Sequence, residues 1–109
     1  MMAPITGLTV LCNEGRLAHA SLLAMKKIAT QIVVLHDGPA DEETAHVCSG
    51  VGATLLEFEK VGCKEPHLAR YFSDYGKSNT SWFIHVDSDE ILSDQLIVEL
   101  RALHLEHPG

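Results

Sequence analysis

The sequence predicts an α/β domain with a mostly parallel sheet of about four strands and helices on both faces. Short β-prone apolar runs alternate along the chain with segments whose apolar residues recur at helical spacing. Residues 32–35 are continuously apolar, which is typical of a strand covered on both faces. Because this alternation extends from end to end, residues 1–109 are interpreted as one domain.

The strands are predicted from runs of β-branched and aromatic residues that end at turn residues. In chain order they are residues 5–12, 31–36, 53–58 and 82–86. The sequence Asp37-Gly38-Pro39 predicts a turn after the second strand, and residues 60–65 are predicted to form a loop after the third.

A helix is predicted after each strand, with a side chain or glycine marking its ends. The helices are predicted over residues 16–28, from Asp41 to Gly50 or Gly52, over residues 66–75 with Gly76 as the stop, and from Ser93 onward. Asn13, Asp41 and Ser93 are the predicted N-caps, because their side chains can accept a hydrogen bond from the first helical turn. In the last helix, Leu96, Leu100 and Leu103 share one face.

The charge and cysteine content of the chain limit its partners and its compartment. Fifteen acidic residues against eight Lys and Arg give a net charge of −7, which disfavours binding to nucleic acid and to anionic membranes. No apolar run approaches the roughly 20 residues of a membrane helix, and the start lacks the basic and apolar regions of a signal peptide. Three widely spaced cysteines indicate a reducing compartment. We therefore expect a cytoplasmic protein, or one peripheral to a membrane if it is part of a longer chain.

The most informative segment is residues 82–92, an apolar strand that runs directly into Asp87-Ser88-Asp89-Glu90. Three carboxylates within four positions repel one another, and a cation would relieve this repulsion. Hard oxygen ligands at this spacing suit Mg²⁺ or Mn²⁺ together with substrate phosphates, so Asp87 and Asp89 are predicted metal ligands. A solvated acidic turn is the alternative interpretation.

The predicted topology brings this segment together with two others. Ligands of parallel α/β sheets bind outside the carboxyl ends of the strands. Residues 12–14, Asp37 and residues 87–90 all follow strand ends, so they are expected along one rim of the sheet. The chain contains no P-loop, no G-x-G-x-x-G and no G-x-S-x-G pattern, so the rim does not match those sites.

Three segments, in this order, resemble the family 2 glycosyltransferases of the GT-A fold. Residues 8–14, which end in Cys12-Asn13-Glu14, are similar to the family's first strand, and residues 32–41 resemble its second strand and acidic turn. Residues 82–92 resemble its D-x-D element, so the resemblance covers nearly the whole chain. It implies a Rossmann-like GT-A half with strand order 3-2-1-4 that binds a nucleotide-diphosphate sugar. The sugar would pass to a hydroxyl of a saccharide, lipid or other acceptor.

The resemblance also implies roles for individual residues in the nucleotide pocket. Asp37 would hydrogen-bond the base. Asn13 and Glu14 would shape the pocket, and Cys12 would offer backbone contacts. Arg70 resembles a basic position before the fourth strand and would approach a phosphate.

In the acidic segment, the resemblance implies that Asp87 lies near the ribose and the metal. Asp89 would ligate the Mg²⁺ or Mn²⁺ that bridges both phosphates, and Glu90 would orient the loop. His36 stands where the family often has an acid, and it either contacts the base or packs at the strand end. His85 is expected to face the core or a helix, and Trp82 is expected to be a packing anchor.

In the family, the acceptor-binding half and the catalytic base follow the D-x-D element, whereas one helix follows it here. General-base catalysis requires a group within hydrogen-bond reach of the acceptor. The chain is therefore expected to be the donor-binding half of a longer protein and to be inactive alone. Its uncovered surface would self-associate, and light scattering that shows a monomer at every concentration would contradict this.

Two other functions are compatible with the sequence. In a haloacid-dehalogenase-like phosphatase, Asp87 would be the nucleophile and Asp89 the acid and base. That family needs a downstream Lys, and Arg101 is the only later Lys or Arg in this chain. The second alternative is a non-catalytic nucleotide-binding or structural α/β module, which turnover of a nucleotide sugar would exclude.

Overall fold

The computed structural model describes residues 4–62, 64–75 and 82–108, and it confirms the predicted α/β architecture. The described strands are β1 (Ile5–Leu11), β2 (Gln31–Asp37), β3 (Thr54–Phe58) and β4 (Trp82–His85). The described helices are α1 (Gly15–Met25), α2 (Glu42–Val51), α3 (Glu65–Tyr75) and α4 (Asp94–Glu106). Gly76, the predicted helix stop, and Cys63, in the predicted loop, lie outside the described residues.

The strands form a parallel sheet in the order β3-β2-β1-β4, as predicted. In the register of the sheet, Leu8 of β1 aligns with Val33 of β2 and with His85 of β4. Because all four strands run in the same direction, their carboxyl ends meet at one edge. We call this edge the carboxyl rim; it comprises residues 12–14, 37–41, 59–62, Lys64 and residues 86–90.

The core lies on both faces of the sheet, because successive strand residues point to opposite sides. One face packs against α1, α2 and α4, through residues such as Leu22, Cys48 and Ile97. The other face packs against α3, where Tyr71 lies on Leu8 and Leu35. This two-sided burial explains why β2 is continuously apolar over residues 32–35.

Two of the three predicted N-caps are confirmed. The Asp41 side chain accepts a hydrogen bond from the Thr44 N–H at 2.8 Å, and the Ser93 hydroxyl accepts one from the Leu96 N–H at 3.1 Å. The prediction for Asn13 was wrong, because Glu14 occupies the N-cap position of α1 and its side chain makes no capping bond. The Asn13 side chain is used elsewhere on the rim.

The predicted end of α1 differs from the structure, whereas the predicted end of α2 is confirmed. Helix α1 ends at Met25 rather than at residue 28, because the chain turns toward β2 over the next residues. Helix α2 ends at Val51, and Gly52 follows in a left-handed conformation with φ 78°, as expected of a C-terminal glycine.

The three leucines predicted to share one face of the last helix are only partly covered, and Leu100 is the one that packs against the core. Ile97 and His104 are the buried residues of α4, whereas Leu96 and Leu103 are 39% and 47% exposed. His104 packs edge-to-face on Trp82, with ring centroids 5.2 Å apart, which confirms Trp82 as a packing anchor. None of the helices in the described ranges combines the length and the apolar character needed to cross a membrane.

Candidate functional site

Glu14 joins two of the three segments that the sequence places on the carboxyl rim. Its Oε1 accepts a hydrogen bond from the Cys12 N–H at 3.1 Å, and its Oε2 accepts one from the Ser88 hydroxyl at 3.0 Å. The carboxylate therefore spans from the turn after β1 to the acidic loop after β4. These strands are neighbours in the sheet, and β2 lies on the other side of β1, so the contact lies where the strand order reverses.

Asn13 and His36 fix the turn after β1 against the end of β2. Asn13 has φ 53°, in the left-handed region that Asn tolerates, and its N–H donates to His36 Nε2 at 2.9 Å. Since Nε2 accepts this bond, Nδ1 carries the proton that His36 donates to the Gly38 carbonyl at 2.7 Å. His36 is fully buried, so its ring holds the strand ends together. The Asn13 Oδ1 accepts from the Asp41 N–H at 2.8 Å and extends the link to α2.

Asp37 lies at the end of β2 and anchors the loop that follows β3. Its Oδ1 accepts hydrogen bonds from the Val61 N–H and from His67 Nε2, both at 2.7 Å, and its Oδ2 accepts one from the Gly62 N–H at 3.0 Å. The bond from His67, followed by those from the two backbone N–H groups, lowers the pKa of Asp37 from 3.8 to about 2. The carboxylate thus stays charged at neutral pH and holds residues 61–62 over the rim.

We expect replacement of Asp37 with Asn to lower the melting temperature by about 5–10 °C. An amide cannot accept from all three donors, so at least one of them loses its partner. Because the folded pKa lies below the unfolded value, the stabilisation from Asp37 is present above about pH 4 and is lost as the pH falls toward 2. Urea unfolding of both proteins between pH 6 and pH 2 measures this, with the difference shrinking toward the acid end. A constant difference would contradict the assignment.

In the acidic loop, Asp87 carries an ion pair with Lys64. The Lys64 Nζ donates to Asp87 Oδ1 at 2.7 Å, and this bond is the main cause that lowers the pKa of Asp87 and raises the pKa of Lys64. His85 Nε2 lies 3.8 Å from the same oxygen, and the His85 residue is exposed, so the expectation of a core-facing histidine was wrong. Glu90 Oε1 accepts from the Asp87 N–H at 2.8 Å, which is the loop-orienting contact expected of it.

A cavity of about 240 Å³ opens on the rim between these groups. It is lined by Val10, Leu11, Cys12, Glu14, Asp37, Gly62 and Lys64. Pockets that enclose a whole small ligand usually measure roughly 300–1,000 Å³, so this cavity suits part of a larger ligand. Among its lining residues, two carboxylates and one ammonium provide the charges.

The described residues do not form a metal site by themselves, and the acidic loop offers carboxylates that a cation bound to phosphates could use. In the described residues, no group of three or more His, Cys, Asp or Glu is arranged to hold a metal ion. Mg²⁺, however, is commonly held by one or two carboxylates together with substrate phosphates and water. Asp89 is exposed and forms no hydrogen bond or ion pair with the described residues. Asp87 and Asp89 are therefore the two carboxylates that would serve.

The structure brings most of the predicted site residues together and separates one of them. Cys12, Asn13, Glu14, Asp37 and Asp87 all lie on the rim, and Asp89 lies in the same loop as Asp87. Arg70, on α3, forms an ion pair with Asp74 at 3.5 Å and lies over the Phe58 ring at 5.3 Å. It does not line the cavity, and its predicted phosphate contact stays a prediction.

Sequence reasoning missed Lys64 and His67. Both follow β3, whose carboxyl end lies on the same rim, so the rule that placed the other candidates also applied to them. Lys64 stood inside a predicted loop, and His67 stood in the first turn of a predicted helix. Neither position carries a motif, and only the folded chain shows that Lys64 reaches Asp87 and that His67 reaches Asp37.

Comparison with known proteins gives no family for this chain. Neither the models of protein families nor the curated proteins match it. The geometry of the carboxyl rim therefore carries the functional argument.

Proposed function

We propose that this chain supplies the donor site of a metal-dependent glycosyltransferase, which binds a nucleotide-diphosphate sugar at the carboxyl rim. The observation that carries the proposal is the contact of the Glu14 carboxylate with the Ser88 hydroxyl at 3.0 Å. It joins the Asn-Glu turn to the D-x-D loop, the two segments that most resemble the GT-A pattern. The contact fixes the acidic loop beside the Asn-Glu turn, so both segments face the same part of the rim.

The cavity would receive the nucleoside part of the donor. Cys12 and Glu14 line it on one side, and Asp37 lines it on the other. A carboxylate has about four acceptor sites, and Asp37 uses three of them for Val61, Gly62 and His67. The remaining acceptor site would take an N–H of the nucleotide base. Asp37 would then both anchor the loop and hydrogen-bond the base.

The diphosphate would lie over the acidic loop. Asp87 and Asp89 would hold the Mg²⁺ or Mn²⁺ there, and the bound cation would neutralise the charge that develops on the leaving nucleotide. Glu90 would keep the loop in place through its bond to the Asp87 N–H. The net charge of −7 makes a cation valuable at this rim, because phosphates would otherwise meet carboxylates.

The sugar would pass to an acceptor hydroxyl, such as that of a saccharide or a lipid. The proposal assigns no general base among the described residues. Transfer would therefore require a base from outside this set, within hydrogen-bond reach of the acceptor.

Calorimetric titration of UDP and GDP into the protein, with and without Mn²⁺, tests the proposal. Saturable binding of one nucleotide that requires the metal is the expected result, and the preferred nucleotide identifies the base. Metal-independent binding would instead indicate a nucleotide-binding module without transferase chemistry. Absence of nucleotide binding in both conditions would overturn the proposal. A separate assay with p-nitrophenyl phosphate tests the phosphatase alternative. Hydrolysis of this compound would also overturn the proposal and would favour a phosphatase with Asp87 as nucleophile.

A further inference from the structure

Lys64 is held at the rim by a single carboxylate. Its Nζ lies 2.7 Å from Asp87 Oδ1, and the two side chains are 40% and 43% exposed. Neither side chain is fixed by burial, so the pair can open without disturbing the core. Among the described residues that line the cavity, Lys64 is also the only cationic one.

The backbone before Lys64 is anchored, and the ammonium projects from it to Asp87. Asp37 binds the N–H groups of Val61 and Gly62, two to three positions before Lys64. Glu65 begins α3 directly after it. The Lys64 side chain therefore extends from an anchored position, and it both lines the cavity and binds Asp87.

The charges around Lys64 set up a competition for Asp87. The carboxylates of Glu65 and Glu90, like that of Asp87, attract the Lys64 ammonium. His85 is a second basic side chain beside Asp87, with its Nε2 at 3.8 Å from Oδ1. A divalent cation on Asp87 would need the same carboxylate, and two cations that share one carboxylate repel each other. An ammonium displaced from Asp87 gains a new partner only if an anion is present.

We infer that Lys64 is the phosphate-binding residue of this site, and that it exchanges Asp87 for the phosphates when the metal occupies the acidic loop. The inference rests on the proposed function for the identity of the ligand. In the free protein, Lys64 serves as the counter-ion of Asp87 and lowers the affinity of Asp87 for a metal ion. In the loaded protein, Lys64 and the metal hold the same diphosphate and support each other.

The two parts of this inference predict opposite effects of one substitution. Lys64→Met keeps an unbranched side chain that is one atom shorter and removes its charge. Without phosphates, we expect it to strengthen binding of Mn²⁺ about three- to tenfold, because Asp87 loses its competitor. With inorganic pyrophosphate present, we expect it to weaken binding of pyrophosphate about tenfold, because a charge-assisted hydrogen bond is lost.

Two further variants separate this role from a general effect of charge. Lys64→Arg keeps a cation and is expected to retain pyrophosphate affinity within about threefold of the parent. Lys26→Met removes the same charge from an exposed position at the end of α1, outside the carboxyl rim, and it should leave both affinities unchanged. Free Mn²⁺ is measured by electron paramagnetic resonance and pyrophosphate by calorimetry, and thermal unfolding checks that each variant is folded.

The outcomes distinguish this inference from the proposed function. If UDP or GDP binds with Mn²⁺ and Lys64→Met behaves like Lys26→Met, the inference on Lys64 is wrong and the donor site stands. If pyrophosphate binds in a Lys64-dependent way and neither nucleotide binds, Lys64 is a phosphate-binding residue and the glycosyltransferase proposal fails. If the parent protein binds neither Mn²⁺ nor pyrophosphate, both are overturned.

Discussion

Replacing Asp89 with Asn is expected to weaken Mn²⁺-dependent nucleotide binding by about 100-fold. Loss of an outer-shell partner of a metal site commonly costs about 10–100-fold, and Asp89 is proposed to bind the metal directly. The substitution keeps the shape of the side chain and replaces a charged oxygen ligand with a neutral amide. Since Asp89 forms no hydrogen bond or ion pair with the described residues, the stability of the fold should not change.

Asp94→Asn is the matched control for this experiment. Asp94 lies five positions further along the chain, is exposed, and pairs with Lys27 at 3.1 Å on the surface. The control changes the net charge by the same amount without touching the rim. Titration of the preferred nucleotide into the three proteins, with Mn²⁺ present, gives the comparison. Equal affinities in all three would show that Asp89 does not bind the metal.

Replacing Gly15 with Ala is expected to destabilise the protein by about 2–3 kcal/mol, as overpacking of a tight contact does. A Cβ atom at Gly15 would lie 2.5 Å from the Thr44 Cα and 3.0 Å from the Thr44 nitrogen. Both are backbone atoms, so no side-chain rotation relieves the clash. The first turns of α1 and α2 would have to separate, which would also strain the Asn13–Asp41 hydrogen bond on the rim.

Gly50→Ala provides the opposite result at another helical glycine. Gly50 lies in α2, and a Cβ there would meet no atom within 4 Å. Alanine loses less conformational entropy than glycine on folding, so we expect this variant to gain about 0.5 kcal/mol. Urea unfolding of the two variants beside the parent measures both effects. A Gly15→Ala protein as stable as the Gly50→Ala protein would show that the two helices do not meet as closely as described.

The sequence was sufficient to predict the sheet and to place the candidate residues along one edge of it. A buried strand covered on both faces has to be apolar throughout, and β2 shows this directly over residues 32–35. The helix starts at Asp41 and Ser93 could be predicted because a capping bond is local and joins residues three positions apart. The position of residues 12–14, Asp37 and residues 87–90 on one rim followed from the parallel topology alone.

Predictions from local sequence pattern were wrong where contacts between distant residues set the role of a side chain or the buried face of a helix. Asn13 has the composition of an N-cap, yet its side chain binds the N–H of Asp41, 28 positions away. Leu96 and Leu103 have the spacing of a buried face, yet α4 turns Ile97 and His104 toward the sheet. Helical spacing identifies which residues share a face, but the neighbouring elements decide which face is covered.

By itself the sequence determined the α/β class and the set of carboxylates on the rim. These depend on hydrophobic period, turn chemistry and strand direction, all of which can be read along the chain. Only the tertiary structure decided how those charges are paired. Lys64 reaches Asp87 over 23 positions and His67 reaches Asp37 over 30, because the loop after β3 folds back over the rim. Pairing of charges depends on distance in space, and no spacing in the sequence encodes that distance.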